Sequence, residues 1–271
     1  MRADQWEFDG TQGRIVVQEW SGEAVRWLAL LIHGYGEHIG RYEHVADRLV
    51  RVGAAVVGPD HVGHGRSEGD RVVIVNFEDI VTDVHEVAQR AHDTYADLPV
   101  VLIGHSMGGL IAARYAQHHG DQLSALVLSG PVLHRLAVVD DLLAVDEIPY
   151  VPIDPDVLSR DGAVGRAYAD DPLVWHGPFK RPTLEAFQRC MRDIDTGPDL
   201  GDLPTLWVHG EEDQLVPIGH SRTGVHNIRG ANFRSHTYPD ARHEIFNEVN
   251  KEQVLDDVVR FLGDCGVPIR P

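Results

Sequence analysis

Val100-Val101-Leu102-Ile103-Gly104-His105-Ser106-Met107-Gly108-Gly109-Leu110-Ile111-Ala112-Ala113-Arg114-Tyr115 is the stretch that decides the fold. Its first four residues are a short β-branched and aliphatic run, as in a strand buried on both faces, and its last six carry a helical pattern. Between them lies Gly-x-Ser-x-Gly, too short for anything but a sharp strand-to-helix turn. Such a turn lifts the Ser106 hydroxyl clear of the sheet, and Gly104 and Gly108 remove the side chains that would collide in so tight a bend. The helix that follows points its first amides at the space above Ser106, where negative charge would develop during attack on an ester. Ser106 is therefore read as a nucleophile.

Outward from this turn, short apolar runs alternate with longer amphipathic stretches, the pattern of a mostly parallel sheet with helices on both faces. Strands are expected at 14–20, 27–33, 54–60, 100–104, 123–129, 205–210 and 233–238. Helices are expected at 41–52, 77–95 with Asn76 as N-cap, 107–118 and 247–262. The alternation breaks between 131 and about 202, where short helical pieces are separated by Pro149, Pro152, Pro155, Pro172, Pro178 and Pro182. The chain thus reads as one domain, with a core of 1–130 and 203–271 and an inserted cap at about 131–202. Its length of 271 residues suits one large α/β unit with an insertion.

A serine hydroxyl needs a base, and 17 histidines cannot be sorted by residue type. Chain order sorts them, because the acid and the base follow the nucleophile on loops at the ends of later strands. The strand at 205–210 runs into Glu211-Glu212-Asp213, and the strand at 233–238 runs into Pro239-Asp240-Ala241-Arg242-His243. His243 is assigned as the base and Asp213 as the residue that orients it, with Glu211 and Glu212 as solvated rivals. The second oxyanion donor should lie in the glycine-rich loop His33-Gly34-Tyr35-Gly36-Glu37-His38. The Tyr35 and Met107 amides are the two candidates. The turn at 60–67 reads as a packed support for that loop, and His118-His119 as the end of a surface helix.

Acidic residues outnumber basic ones by 42 to 24, a formal charge of −18. This repels phosphate backbones and argues against nucleic acid as a partner. The two cysteines form no framework or metal spacing and read as free thiols of a reducing compartment. No apolar stretch is long enough to span a bilayer and no export signal is visible, so a cytoplasmic location is expected.

His33-Gly34-Tyr35-Gly36-Glu37-His38, the Gly-His-Ser-Met-Gly-Gly turn and the Asp213 and His243 loops together resemble the monoacylglycerol lipase group of the α/β-hydrolases, most closely its bacterial, actinobacterial-type members. The resemblance extends to Arg166-Ala167-Tyr168-Ala169-Asp170-Asp171-Pro172-Leu173 and to His243-Glu244-Ile245-Phe246-Asn247-Glu248. It implies the α/β-hydrolase fold with an inserted helical cap, and hydrolysis of monoglycerides to glycerol and fatty acid through an acyl-enzyme on Ser106. It also implies that Glu37 and Arg41 hold the glycerol head. Phe246 departs from the pattern, since some members place a histidine there for the same purpose.

The apolar first part of the insertion, Leu133 to Val151, suits an acyl-chain tunnel and a lip that touches a lipid surface, and equally a cap packed onto the body. Neither metal nor cofactor is called for, and monomer and homodimer are both open. The nearest rivals are a broader carboxylesterase or lysophospholipase and a cofactor-free haloperoxidase or perhydrolase, which use the same triad. Epoxide hydrolases and haloalkane dehalogenases require a carboxylate where Ser106 stands.

Overall fold

A computed structural model describes residues 1–270. Eight strands form one sheet in the order β1-β2-β4-β3-β5-β6-β7-β8. They are β1 (Arg2–Gly10), β2 (Gly13–Ser21), β3 (Trp27–Ile32), β4 (Ala54–Asp60), β5 (Val100–His105), β6 (Ala125–Ser129), β7 (Thr205–Gly210) and β8 (Phe233–Tyr238). The β1–β2 and β2–β4 pairs are antiparallel and all others parallel. With its flanking helices this is the α/β-hydrolase fold.

The central strands are apolar without interruption because both of their faces are covered. Leu28, Leu30 and Ile32 of β3 join Leu102, Leu126 and Leu128 on one face, under α2 (Phe77–Thr94) and α3 (Met107–His119). Their neighbours Trp27, Ala29 and Leu31 join Val101, Ile103, Val127 and Val208 on the other face, under α1 (Glu43–Arg51) and α8 (Lys251–Asp264). Each leucine, isoleucine or valine among them contributes roughly 1.5–3 kcal/mol on burial. Between β6 and β7 the chain forms α4 (Ala137–Leu143), α5 (Gly162–Asp170) and α6 (Arg181–Thr196), and α7 (Ile218–Ile228) follows β7.

Several expected elements shift. β1 was not anticipated, nor was α7. β6 begins at Ala125, two residues later than expected. The expected helix at 41–52 starts as a 3-10 turn, Ile39–Tyr42, before α1, and the one at 247–262 is a 3-10 turn, Ile245–Asn247, followed by α8 from Lys251. Asn76 does cap α2, accepting from the Glu78 amide at 3.2 Å. Among the described residues no helix is long and apolar enough to cross a membrane.

Candidate active site

The turn after β5 is as tight as its glycines suggest. Ser106 sits at φ 56° and ψ −117°, a conformation rarely adopted outside glycine. A Cβ on Gly108 would lie 2.1 Å from the Ile32 carbonyl oxygen, and one on Gly104 would lie 2.2 Å from the Gly108 carbonyl oxygen. Only glycine lets β3, β5 and α3 converge here. The Ser106 hydroxyl is left facing His243, whose Nε2 is 2.9 Å from Ser106 Oγ.

On its other side, His243 Nδ1 lies 2.7 Å from Asp213 Oδ2. Asp213 has no proton to give, so Nδ1 donates to it and Nε2 is free to accept from Ser106. The Asp213 carboxylate is fixed by its own loop: Oδ1 accepts from the Leu215 amide at 3.0 Å and from the Val216 amide at 2.9 Å. All three residues are buried, while Glu211 and Glu212 are exposed. Burial alone would raise Asp213, but His243 and His209 outweigh it and hold the carboxylate well below its usual range. Burial pulls the His243 imidazole down, yet the combined pull of Asp213, Glu244 and Glu37 leaves it above the ordinary histidine value.

Tyr35 and Met107 both line the cavity above Ser106. Among the described residues neither of their amides finds an acceptor within the protein. The loop that presents Tyr35 is pinned from several sides. The Gly34 amide donates to Glu37 Oε1 at 2.6 Å, which also accepts from the Tyr42 hydroxyl at 2.6 Å. His33 donates from Nδ1 to the Gly34 carbonyl and accepts the His61 amide at Nε2, which ties the 33–38 loop to the 60–67 turn. Asp60 in that turn accepts from the Ile39 and Arg66 amides, and none of residues 60–67 lines the cavity.

Glu37 and Arg41 are engaged with each other rather than free. Arg41 donates to Glu37 Oε2 and, from both terminal nitrogens, to Glu244 at 2.8 and 2.9 Å. Its guanidinium lies over the Tyr168 ring, 5.2 Å from the centroid. Burial disfavours the Arg41 charge, but Glu244 and Glu37 more than offset it and raise its pKa. Sequence reading missed Glu244 and Tyr168. The signal was available in part, because a buried arginine flanked by one glutamate needs a second acceptor and Glu244 directly follows the base.

The segment between β6 and β7 is stitched to the loops that carry Tyr35 and His243. The Trp175 amide donates to the Gly36 carbonyl at 2.7 Å and His38 Nε2 meets Asp171 at 2.8 Å. At the base loop, the buried Glu248 accepts from Arg160 Nε and from the Arg160 and Arg242 amides. Together these walls enclose a cavity of about 340 Å³. It is lined by Ser106 and His243, by Glu37, Arg41 and Glu244, and by apolar groups that include Val132, Leu136, Val139, Phe179 and Phe187. Leu133 and Leu142 are core, whereas Val138, Val145, Tyr150 and Val151 are exposed. Phe246 is packed in the core on the far face of the sheet and does not line the cavity.

The sequence model of the family described as serine aminopeptidase, S33, matches residues 23–250. The monoacylglycerol lipase of Mycolicibacterium smegmatis is 36% identical over 266 residues, spanning 94% of this chain and 95% of that protein. The chain belongs to the monoacylglycerol lipase family of α/β-hydrolases. Another relative is the human monoglyceride lipase, 33% identical over 82% of this chain and 80% of that one. Among solved structures, a soluble variant of the Saccharomyces cerevisiae monoglyceride lipase bound to a substrate analogue superposes with a TM-score of 0.84 at 21% identity, covering 98% of this chain and 95% of that chain, a likeness of fold. Membership of this family makes the protein a serine ester hydrolase.

Proposed function

We propose that the protein hydrolyses the ester of monoacylglycerols to glycerol and a free fatty acid through an acyl-enzyme on Ser106. The observation that carries this reading is a single cavity that joins Ser106 and His243 to an extended apolar wall and to the charged Glu37–Arg41–Glu244 group. An acyl chain fits the first surface and a glycerol head the second. Its relatives' activity on lipid esters supports the same substrate class.

In this mechanism His243 Nε2 takes the Ser106 proton as Oγ attacks the carbonyl carbon, and Asp213 stabilises the imidazolium that results. The Tyr35 and Met107 amides receive the oxyanion. His243 then protonates the departing glycerol oxygen, and a water activated by the same histidine releases the fatty acid. Arg41 and Glu37, held in place by Glu244, present the polar surface for the head, a role that position 246 does not fill here.

Residues 131–202 act as a cap on a core of 1–130 and 203–271, and the exposed Val138, Val145, Tyr150 and Val151 suit brief contact with a lipid surface from the aqueous side. The deciding assay compares monoolein with diolein, lysophosphatidylcholine and p-nitrophenyl butyrate. Monoolein is expected to give the highest kcat/KM; negligible monoolein turnover beside rapid cleavage of another ester would replace this reading with a broader esterase or lysophospholipase.

A further inference from the structure

His209 is a second histidine on the Asp213 carboxylate, and the mechanism above does not use it. It stands near the end of β7, fully buried, four residues before Asp213. Its Nε2 lies 2.9 Å from the Val216 carbonyl oxygen and 3.2 Å from Asp213 Oδ2. Both neighbours are acceptors, so Nε2 carries the hydrogen; it donates to the Val216 carbonyl and lies beside Asp213 Oδ2. Its other ring nitrogen, Nδ1, is buried with no hydrogen-bond partner among the described residues. A residue needed only to fill volume would do so better as leucine, which buries no orphan nitrogen. What singles out histidine here is the Nε2–H.

Resting on the reading that Asp213 orients His243, we infer that His209 is a positioning residue for the reaction, holding the Asp213 carboxylate toward His243 and setting how strongly it attracts the imidazolium. Oδ1 is saturated by the Leu215 and Val216 amides, while Oδ2 takes the N–H of His243 and has the N–H-bearing Nε2 of His209 beside it at 3.2 Å. Without His209, Oδ2 keeps His243 alone, and a carboxylate with fewer donors is the stronger base. The imidazolium is then favoured, and a higher pH is needed to free the base.

The other charged groups facing His243 come from separate elements: Glu244 from its own loop and Glu37 from the loop after β3, with Arg41 between those two carboxylates. His105, at the end of β5, places its ring 4.7 Å from that of His243. Within β7, the Trp207 ring is 5.4 Å from that of His209. None of these side chains bonds Asp213 Oδ2 among the described residues, so the effect of His209 is separable from theirs.

The test is the pH profile of kcat/KM on p-nitrophenyl butyrate for the wild type, His209→Leu, His209→Gln and Asp213→Asn. His209→Leu should move the acid limb upward by about 0.5–1 pH unit with KM within about twofold. His209→Gln, which returns an N–H at similar reach, should bring the limb back. Asp213→Asn checks the underlying reading by itself: retained activity there overturns the triad, whereas a dead Asp213→Asn beside an unmoved limb in folded His209→Leu overturns only the role of His209. A Gln variant that fails to restore the limb also overturns it. Should the Leu variant not fold, nitrogen-15 NMR of the wild type decides: the Nε2–H tautomer at His209 is required, and an Nδ1–H tautomer contradicts the proposal.

Discussion

Arg41 donates from both of its terminal nitrogens to Glu244, at 2.8 and 2.9 Å, and so fastens the segment that carries His243 to the loop that presents the Tyr35 amide. Glu37 completes the link, since the oxygen that receives the Gly34 amide belongs to the same carboxylate that Arg41 engages. One buried cation thereby ties the His243 segment to the Tyr35 loop.

Replacing Arg41 should therefore be costly. Arg41→Leu leaves two buried carboxylates without their partner, and a loss of about 3–5 kcal/mol is expected in urea unfolding. Arg41→Lys should recover only part, because a point charge cannot serve two oxygens of Glu244 and Glu37 together. Glu244→Gln, which keeps the shape, should lose less than Arg41→Leu. Equal losses in all three would contradict the central place given to the Arg41 charge.

Gly108 permits the nucleophile turn. The Cβ of Gly108→Ala would meet the Ile32 carbonyl, a backbone atom that cannot retreat without displacing β3. The variant should lose about 3 kcal/mol or more and nearly all ester hydrolysis. A thermal melt and an activity assay at wild-type levels would contradict the geometry given for the turn.

The raised His243 has a consequence for pH. The base must be neutral in the free enzyme, so the acid limb of kcat/KM should lie above pH 6.5, the ordinary histidine value. Stability follows the same signs. The contribution of His243 is present below that ordinary value and is lost as pH rises through its raised one. Asp213 and Glu244 are held below their ordinary values of 3.8 and 4.5, so their contributions are present above those values and lost on acidification. Urea midpoints measured from pH 3 to 9 should fall most steeply at the acid end; an acid limb below pH 6.5 would show that Asp213 does not dominate the setting of His243.

Leu136 lines the cavity, and Leu136→Trp should fill part of it. The ratio of long-chain to short-chain monoglyceride turnover is expected to drop by about tenfold. Unchanged chain-length selectivity would place the acyl chain elsewhere.

How much of this was written in the chain differs from element to element. Ser106, Asp213 and His243 were expected together because each follows an expected strand in the required chain order, and the structure brings the three within hydrogen-bond distance. β1 was hidden because it is an edge strand in which Gln5, Glu7 and Asp9 are exposed and only Phe8 is buried. Its turn, Gly10-Thr11-Gln12-Gly13, was the available sign. α7 was hidden by Gly219, Thr223 and Gly224, weak helix formers held by packing; a Cβ on Gly224 would lie 2.4 Å from Leu133 Cβ. The ion network could not be foreseen because Arg41 and Glu244 are 203 positions apart and their pairing is a property of the closed fold. The same holds for His209, whose residue type matches many bland histidines until its distance to Asp213 is known.

Ser106 is the proposed nucleophile. The most direct measurement is monoolein hydrolysis by purified Ser106→Ala, with labelling of both proteins by a fluorophosphonate located by peptide mass spectrometry. The wild type should carry one adduct, on Ser106, and the variant should keep its melting temperature, lose the adduct and lose turnover by about 10⁴-fold or more. A folded Ser106→Ala protein that still hydrolyses monoolein, or that still takes the label, would rule out Ser106 as the nucleophile.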